Sequence, residues 1–326
     1  PMNPTYGRTG KFVRYYWREI QRETLLRFEM WAEKHGYEHW TKAGGEGRAA
    51  GDAIEKEVVQ ELKVRYETTP KYQYSEESAN TILDAHQVEV VTLHGVHGTV
   101  DGKLGIGNGA DVFAPEDYAG EHFRKLGYEY LIAESVPLHA LFGVFMWMLV
   151  EDIDDDHVQR VRFGDRHAFD KGEKGELVRG LLPDDFGMPG YYTRRRDYVD
   201  KHLNSLRVDK KGLLWLFDYW KDDAYSGKLR QYLWAHREAS VATARRLVEI
   251  LPEATTVRIL EFLVRSYWER YLGWPDLLVY RETDFFFAEV KSSRDKLSED
   301  QKDWIRGNAT ELHLPFKLVK IHRTTA

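Results

Sequence analysis

Three polar residues near the C-terminal end of the sequence have the types and spacing of a hydrolytic metal site. Asp276 opens one short apolar run, and Glu289 and Lys291 close the next run, which follows a polar turn at 281–284. On a β-strand Glu289 and Lys291 point to one face, because they are two residues apart, and Val290 points to the other. Pairing of the two runs as a hairpin would fold Asp276 back beside Glu289.

Two carboxylates and an ammonium that converge in this way could bind a divalent cation. Neighbouring carboxylates repel each other unless a cation lies between them, and hard oxygen ligands favour Mg²⁺ or Mn²⁺. A lysine beside such a cation can orient or deprotonate water and offset the charge of a phosphoryl transition state. The pattern therefore indicates phosphodiester hydrolysis. On the hairpin alone, a surface turn with an ordinary Glu–Lys pair is the alternative.

A further acid, Glu134, stands in front of the most apolar segment of the chain. The pattern at 115–127 predicts a helix that ends at Gly127, and the run that follows Glu134 predicts a helix to Val150, buried on most sides. We expect Glu134 to be buried at the mouth of this helix, which is costly unless the carboxylate is paired. From the residues alone, an interaction with the helix dipole is the structural alternative.

Other segments are predicted to complete the sheet and to shape access to the site. Ser298 and Gln301 have the spacing of a capping box and predict a helix after the hairpin. Alternating apolar and polar residues at 316–322 predict a last strand that joins the sheet. Residues 158–270 are predicted to be mainly helical, and a domain boundary is expected near Ala110.

Two charged runs lie close to this helical region. Arg194, Arg195 and Arg196 are flanked by tyrosines and could contact DNA phosphates and bases, although arginine runs also occur on solvated faces. The acidic run at 151–157 lacks the glycine and the spaced glutamate of a calcium loop, so we expect a solvated turn.

The composition is that of a globular protein. The chain has 326 residues, of which 42% are hydrophobic and 31% charged, and it has no cysteine. Disulfides, zinc ribbons, iron–sulfur clusters and thiol catalysis are thereby excluded. The net charge of −6 argues weakly against a nucleic-acid coat protein, whereas a nuclease needs only a local basic surface. The apolar run at 137–150 is too short to span a bilayer, and Pro1 before Met2 is typical of a fragment.

These residues resemble the VRR-NUC branch of the PD-(D/E)XK nucleases. The resemblance rests on Gly-Trp-Pro-Asp at 273–276, Ala-Glu-Val-Lys at 288–291, Asp-Lys-Leu-Ser at 295–298, and Gln301 with Trp304. The upstream segment around Ala133-Glu134-Ser135 and the later Tyr192 to Arg196 extend it to the nuclease domain of Fanconi-associated nucleases. The resemblance covers about residues 115–326.

The resemblance implies an α/β (α+β) fold of the restriction-endonuclease type, with a mixed central sheet flanked by helices. Residues 111–326 would form the nuclease domain, with a helical insertion at 158–270, and residues 1–110 would form a mainly helical region of unknown role. It implies catalytic roles for Glu134, Asp276, Glu289, Lys291 and Gln301, with Mg²⁺ or Mn²⁺ bound by Glu134, Asp276, Glu289 and the Val290 carbonyl.

For the whole chain the resemblance implies a cytoplasmic, monomeric DNA-repair nuclease that acts on double-stranded or branched DNA. In Fanconi-type members it further implies a preference for 5′ flaps. A zinc finger, a SAP module and clear helical repeats are not evident in the sequence, which puts flap selection in doubt.

Two other functions fit the same sequence. VRR-NUC domains also occur at the ends of secreted bacterial toxins, in which case an immunity protein would be the partner and the target cell the location. A DNA-binding module with a dead site is the third hypothesis, and the intact Asp276, Glu289 and Lys291 argue against it.

Overall fold

The fold was analysed in a computed structural model, which describes most of the chain. The described residues are 20, 23–24, 27–37, 43–68, 77–100, 102–107, 111–150, 152, 154–164, 177–183, 185–223, 238–292 and 295–324.

The chain divides into two compact units, Pro1–Ser75 and Glu76–Ala326. In the first unit, helix α1 spans Gly44–Thr68. Ile20, Val58 and Leu62 form its buried apolar cluster. Much of the N-terminal region that was predicted to be mainly helical lies outside the described residues.

A seven-stranded mixed sheet organises the second unit. Its strands are β1 (Glu89–Val100), β2 (Lys103–Gly107), β3 (Val112–Phe113), β4 (Glu129–Ile132), β7 (Leu277–Arg281), β8 (Asp284–Ser292) and β9 (Phe316–Arg323). Their order is β3-β2-β1-β9-β8-β7-β4. β9 runs parallel to both β8 and β1, and the other neighbours are antiparallel. The predicted mixed sheet and the predicted last strand are confirmed.

The division between the units does not fall where a boundary was expected. β1 and β2 precede Ala110, yet both belong to the same sheet as the hairpin. The chain passes from the first unit to the second between Ser75 and Glu76. The reason is the parallel pairing of β1 with β9, which joins strands more than 200 residues apart and leaves no periodic signal in the local sequence.

Helices flank the sheet and form the insertion between β4 and β7. They are α2 (Ala79–Ala85), α3 (Pro115–Lys125), α4 (Val136–Val150), α5 (Pro189–Arg194), α6 (Arg196–Ser205), α7 (Lys210–Asp223), α8 (Glu238–Ile250), α9 (Glu253–Arg265), α10 (Tyr267–Arg270) and α11 (Glu299–Gly307), which a π-helical turn at Asn308–Leu312 extends.

The segment that was predicted as a helical insertion from residue 158 begins with strands rather than with a helix. β5 (Val158–Gly164) pairs with β6 (Leu177–Pro183) as a separate antiparallel ribbon. The expectation of a mainly helical segment from residue 158 is therefore wrong for this ribbon and holds for the helices described after it.

Helix α3 covers one face of the sheet. Ala119 and Phe123 pack there with Leu277, Val290 and Val319, among other buried side chains. Helix α4 is buried along most of its length, as predicted. Among the described residues, no helix combines the length and the hydropathy needed to span a membrane.

Candidate active site

The hairpin β7–β8 has the register that brings Asp276 beside Glu289. Leu277 pairs with Ala288 and Arg281 with Asp284, so two residues, Glu282 and Thr283, make the turn. Asp276, which immediately precedes β7, therefore stands opposite Glu289 at the same end of the hairpin.

Asp276 is buried and its backbone and side chain are both hydrogen-bonded. The residue is only 8% exposed. The Val290 amide donates to Asp276 Oδ2 at 2.7 Å, and the Ala133 amide donates to the Asp276 carbonyl at 2.8 Å. These two contacts hold the carboxylate between the hairpin and the end of β4.

Glu289 lies at the centre of the polar groups. It is 2% exposed, its Oε1 lies 2.7 Å from the Lys291 ammonium, and Gln301 Nε2 donates to the same oxygen at 2.5 Å. The other oxygen, Oε2, is buried and has no hydrogen-bond partner among the described residues. An ionised carboxylate oxygen without a partner is costly in a protein interior, so this oxygen is suited to a cation.

Gln301 reaches Glu289 because its helix is fixed at its first turn. The predicted capping box is present: the Gln301 amide donates to Ser298 Oγ, and Gln301 Oε1 accepts from the Ser298 amide at 2.9 Å. The amide group of one side chain thus caps the helix with its oxygen and contacts Glu289 with its nitrogen.

Gly273 lets the segment before Asp276 approach this helix closely. Its φ of +80° lies in the left-handed region, and a Cβ atom there would stand 2.2 Å from the Asp300 carbonyl oxygen. Only glycine fits this backbone contact without displacing the helix that carries Gln301.

The pKa of each buried carboxyl is raised. Burial, together with the charge of Asp276, raises the pKa of Glu289 to about 8, against the opposing effect of Lys291. Burial also raises the pKa of Asp276 to about 6, against the hydrogen bond from Val290, and Glu116 and Glu134 add to the rise. Glu289 therefore holds a proton at neutral pH until a positive charge compensates it, whereas Asp276 is mostly ionised there.

Glu134 lies near this site but is not buried. It is exposed. Ser135, which lies between Glu134 and the start of α4, has a φ of +41°. Ala133, next to it, is hydrogen-bonded to Asp276. The expectation that Glu134 is buried is wrong, because the chain leaves β4 through a sharp turn before the apolar helix begins.

Glu116 was not predicted and also bears on the site. Its negative charge adds to the rise in the pKa of Asp276 that burial causes. It occupies the first turn of α3, after Pro115. An acid at a helix N-terminus is common, so the sequence carried no signal that would have distinguished it.

The carboxylate oxygens of this site suit a hard divalent cation, although the described side chains do not form a complete cluster of metal ligands. Asp276 and Glu289 offer two carboxylates, and Glu289 Oε2 has no other partner. Over the described part of the chain, no three or more histidine, cysteine, aspartate or glutamate side chains are grouped so that they could hold a metal ion. The geometry thus brings Asp276, Glu289, Lys291 and Gln301 together and leaves Glu134 at the margin.

The arginine run has a different environment from the one predicted. Arg194 pairs with Asp155 at 2.6 Å and with Asp185 at 2.7 Å, and Arg195 pairs with Asp152 at 2.6 Å. These contacts favour a structural role for the two arginines. Arg196 is exposed and lies over the Tyr192 ring.

The expectation of a solvated turn at 151–157 is wrong for Asp155. The side chain of Asp155 is 0% exposed and receives both Arg194 and Arg195. The two charged runs, which the sequence presents as separate surface features, neutralise each other and join the end of α4 to α5 and α6.

Comparison with known proteins agrees with this geometry. The VRR-NUC domain family matches residues 218–317, which include the hairpin and α11. The Fanconi-associated nuclease 1 homolog of Schizosaccharomyces pombe is 26% identical over 193 residues, which is 58% of this chain and 24% of that protein. This chain therefore spans about a quarter of that relative.

A solved structure shows the same fold. The crystal structure of paFAN1 bound to DNA with a 2-nucleotide 5′ flap and a gap superposes with a TM-score of 0.50 at 15% identity, over 94% of this chain and 49% of that one. The fold is thus of the PD-(D/E)XK type, as predicted. Residues 218–317 are therefore similar to a VRR-NUC domain, and the chain is similar to a Fanconi-associated nuclease.

Proposed function

We propose that the chain is a DNA nuclease that depends on Mg²⁺ or Mn²⁺. The observation that carries this proposal is the convergence of Asp276, Glu289 and Lys291 at one end of the hairpin, where Glu289 Oε2 is buried and has no hydrogen-bond partner in the described part of the chain. Asp276, Glu289 and the Val290 carbonyl would hold the cation, with Glu134 completing the set. When bound, such a cation polarises a phosphoryl oxygen and lowers the pKa of water.

The residues of the chain have distinct roles in this reaction. Lys291, held 2.7 Å from Glu289, is placed to orient the attacking water and to offset negative charge that develops on the phosphoryl group. Gln301 fixes the orientation of Glu289. The low exposure of both carboxyls keeps bulk water from screening these charges.

The substrate we propose is branched DNA with a 5′ flap, cut by a monomer in DNA repair. The S. pombe relative is named a Fanconi-associated nuclease, and the paFAN1 structure contains 5′-flap DNA. These names support the proposal. Because this chain matches only part of each of the two proteins, the selection of flaps is tested by experiment. The alternative of a secreted toxin with an immunity protein stays a prediction, and the similarities found here do not favour it.

A panel of labelled DNAs tests the proposal. Purified protein is incubated with 5′-flap, nicked, junction, linear and single-stranded DNA, with EDTA, Mg²⁺ or Mn²⁺. We expect cleavage with metal only, fastest on the flap, and a loss on the order of a hundredfold or more in Glu289→Ala. Glu282→Asn, in the exposed hairpin turn, is the matched control and should cleave like wild type.

Two results would contradict the proposal. Intact DNA under all metal conditions would reject nuclease activity, and equal rates for wild type and Glu289→Ala would reject this site. Growth arrest on expression that Asp276→Ala relieves would instead favour the toxin.

A further inference from the structure

Strands β8, β9 and β1 lie side by side in parallel and place residues of the same face in rows. Lys291 of β8 is in register with Lys320 of β9, and Lys320 is in register with Thr92 of β1. Register partners on neighbouring strands point to the same face, about 4.8 Å apart. A row of three polar residues therefore extends from the candidate catalytic lysine across the sheet.

A second row continues in the same direction. His322 of β9 is in register with His94 of β1, and their ring centroids are 5.7 Å apart. Both histidines are exposed, as is Thr92, and Lys320 is half-buried.

The two faces of these strands are packed against different helices. The opposite face, with Leu93, Val319 and Ile321, is buried against α3. On the face of Glu289, α11 packs over the start of the strands, where Trp304 contacts Phe316 at 5.0 Å between ring centroids. Beyond Lys291, Thr92, His94 and His322 on this face are exposed, so among the described residues the polar rows are accessible from the carboxylates outward.

The described residues do not balance all the charges of these rows. Lys291 is paired with Glu289, whereas Lys320 has no carboxylate within ion-pair distance among the described residues. Adjacent ammonium groups on paired strands are destabilising unless an anion compensates them. Lys317, on the same strand but on the other face, has a partner in Glu89 at 2.8 Å.

We infer that Lys320, Thr92, His94 and His322 form a phosphate-binding track for a polynucleotide strand that leads to the carboxylate pair. This inference rests on the proposed nuclease function and adds a place where the substrate backbone is held. Lys320 is the central contact, because it adjoins Lys291 and no carboxylate of the described part of the chain compensates its charge.

Binding measured in EDTA separates the track from cleavage. The affinity for labelled single-stranded and 5′-flap DNA is measured by fluorescence anisotropy at several salt concentrations, for wild type, Lys320→Gln, Lys320→Arg and the control Lys317→Gln. Each phosphate contact contributes about 0.7 to 0.9 to the slope of log affinity against log salt. We expect Lys320→Gln to lose about that much and to bind more weakly at low salt.

The controls determine how the result is read. Lys320→Arg should restore the slope, and Lys317→Gln should keep it, while thermal unfolding confirms that each variant is folded. If Lys320→Gln kept the affinity and the slope of wild type, and wild type cleaved DNA, the phosphate-binding track would be overturned and the nuclease function would stand. DNA binding without any cleavage by wild type would instead overturn the nuclease, and the slopes alone would then decide whether Lys320 binds phosphate.

Discussion

Gln301 Nε2 lies 2.5 Å from Glu289 Oε1, and this contact joins helix α11 to the hairpin. Because Gln301 Oε1 also accepts from the Ser298 amide, the first turn of the helix and the orientation of the candidate metal ligand depend on one side chain. The first turn of α11 and the orientation of Glu289 are therefore coupled at this position, and variants can separate the two.

Replacing Gln301 by Ala should reduce cleavage more than it reduces stability. The change removes the contact with Glu289 and half of the capping box. Ser298→Ala is the matched control, since it removes the other half, at a cost of about 1 kcal/mol, and leaves the contact with Glu289. We expect similar melting temperatures for the two variants and a lower kcat for Gln301→Ala alone. Equal kcat values would mean that Gln301 acts only as a cap.

Gly273→Ala should damage the site through the backbone. The new Cβ would meet the Asp300 carbonyl oxygen at 2.2 Å and push α11 away from Glu289. Gly127 is a control with a similar φ of +84° and only Arg281 Nη1 at 3.8 Å. Its change to Ala should cost only the left-handed conformation, about 1–2 kcal/mol. Unfolding and cleavage assays should therefore show a larger loss for Gly273→Ala, and losses of equal size would argue against the close approach.

The metal-free protein should lose stability as the pH rises towards 8. The pKa of Glu289 is about 8 in the folded protein and 4.5 in the unfolded chain, so between these values the folded state binds more protons. The free energy of unfolding therefore falls with rising pH in this window. Urea unfolding in EDTA at pH 5.5 and 8.5 measures it.

Glu289→Gln provides the comparison for this pH dependence, because it cannot ionise. The difference in the free energy of unfolding between wild type and Glu289→Gln should shift in favour of the variant at the higher pH. Mg²⁺ should stabilise only wild type at that pH. A difference that is constant with pH would contradict the raised pKa of Glu289.

Asp155→Ala should destabilise the protein without a specific effect on DNA. It leaves Arg194 and Arg195 without their shared buried partner, and removing one member of a buried ion pair typically costs about 3–5 kcal/mol. Arg196→Gln, on the exposed neighbour, should leave the unfolding midpoint near that of wild type. If Arg194→Gln lowered DNA affinity with no change in unfolding, the DNA-contact prediction for this run would be favoured instead.

Several elements could be predicted because their signals are local. The hairpin with Asp276 and Glu289, the capping box of Ser298 and Gln301, and the buried helix α4 all follow from periodicity and capping patterns over short stretches. The resemblance to VRR-NUC nucleases rests on the same stretches, and the family match confirms it.

The sequence by itself determined which residues could share a strand face or a helix turn, because those relations depend only on spacing along the chain. Only the tertiary structure decided the pairing of β1 with β9, the exposure of Glu134, the approach of Glu116 and the neutralisation of Arg194 and Arg195 by Asp155. These contacts join distant segments, and their free energy comes from burial and charge compensation that no local pattern encodes. The row that joins Lys291 to Lys320 arises in the same way.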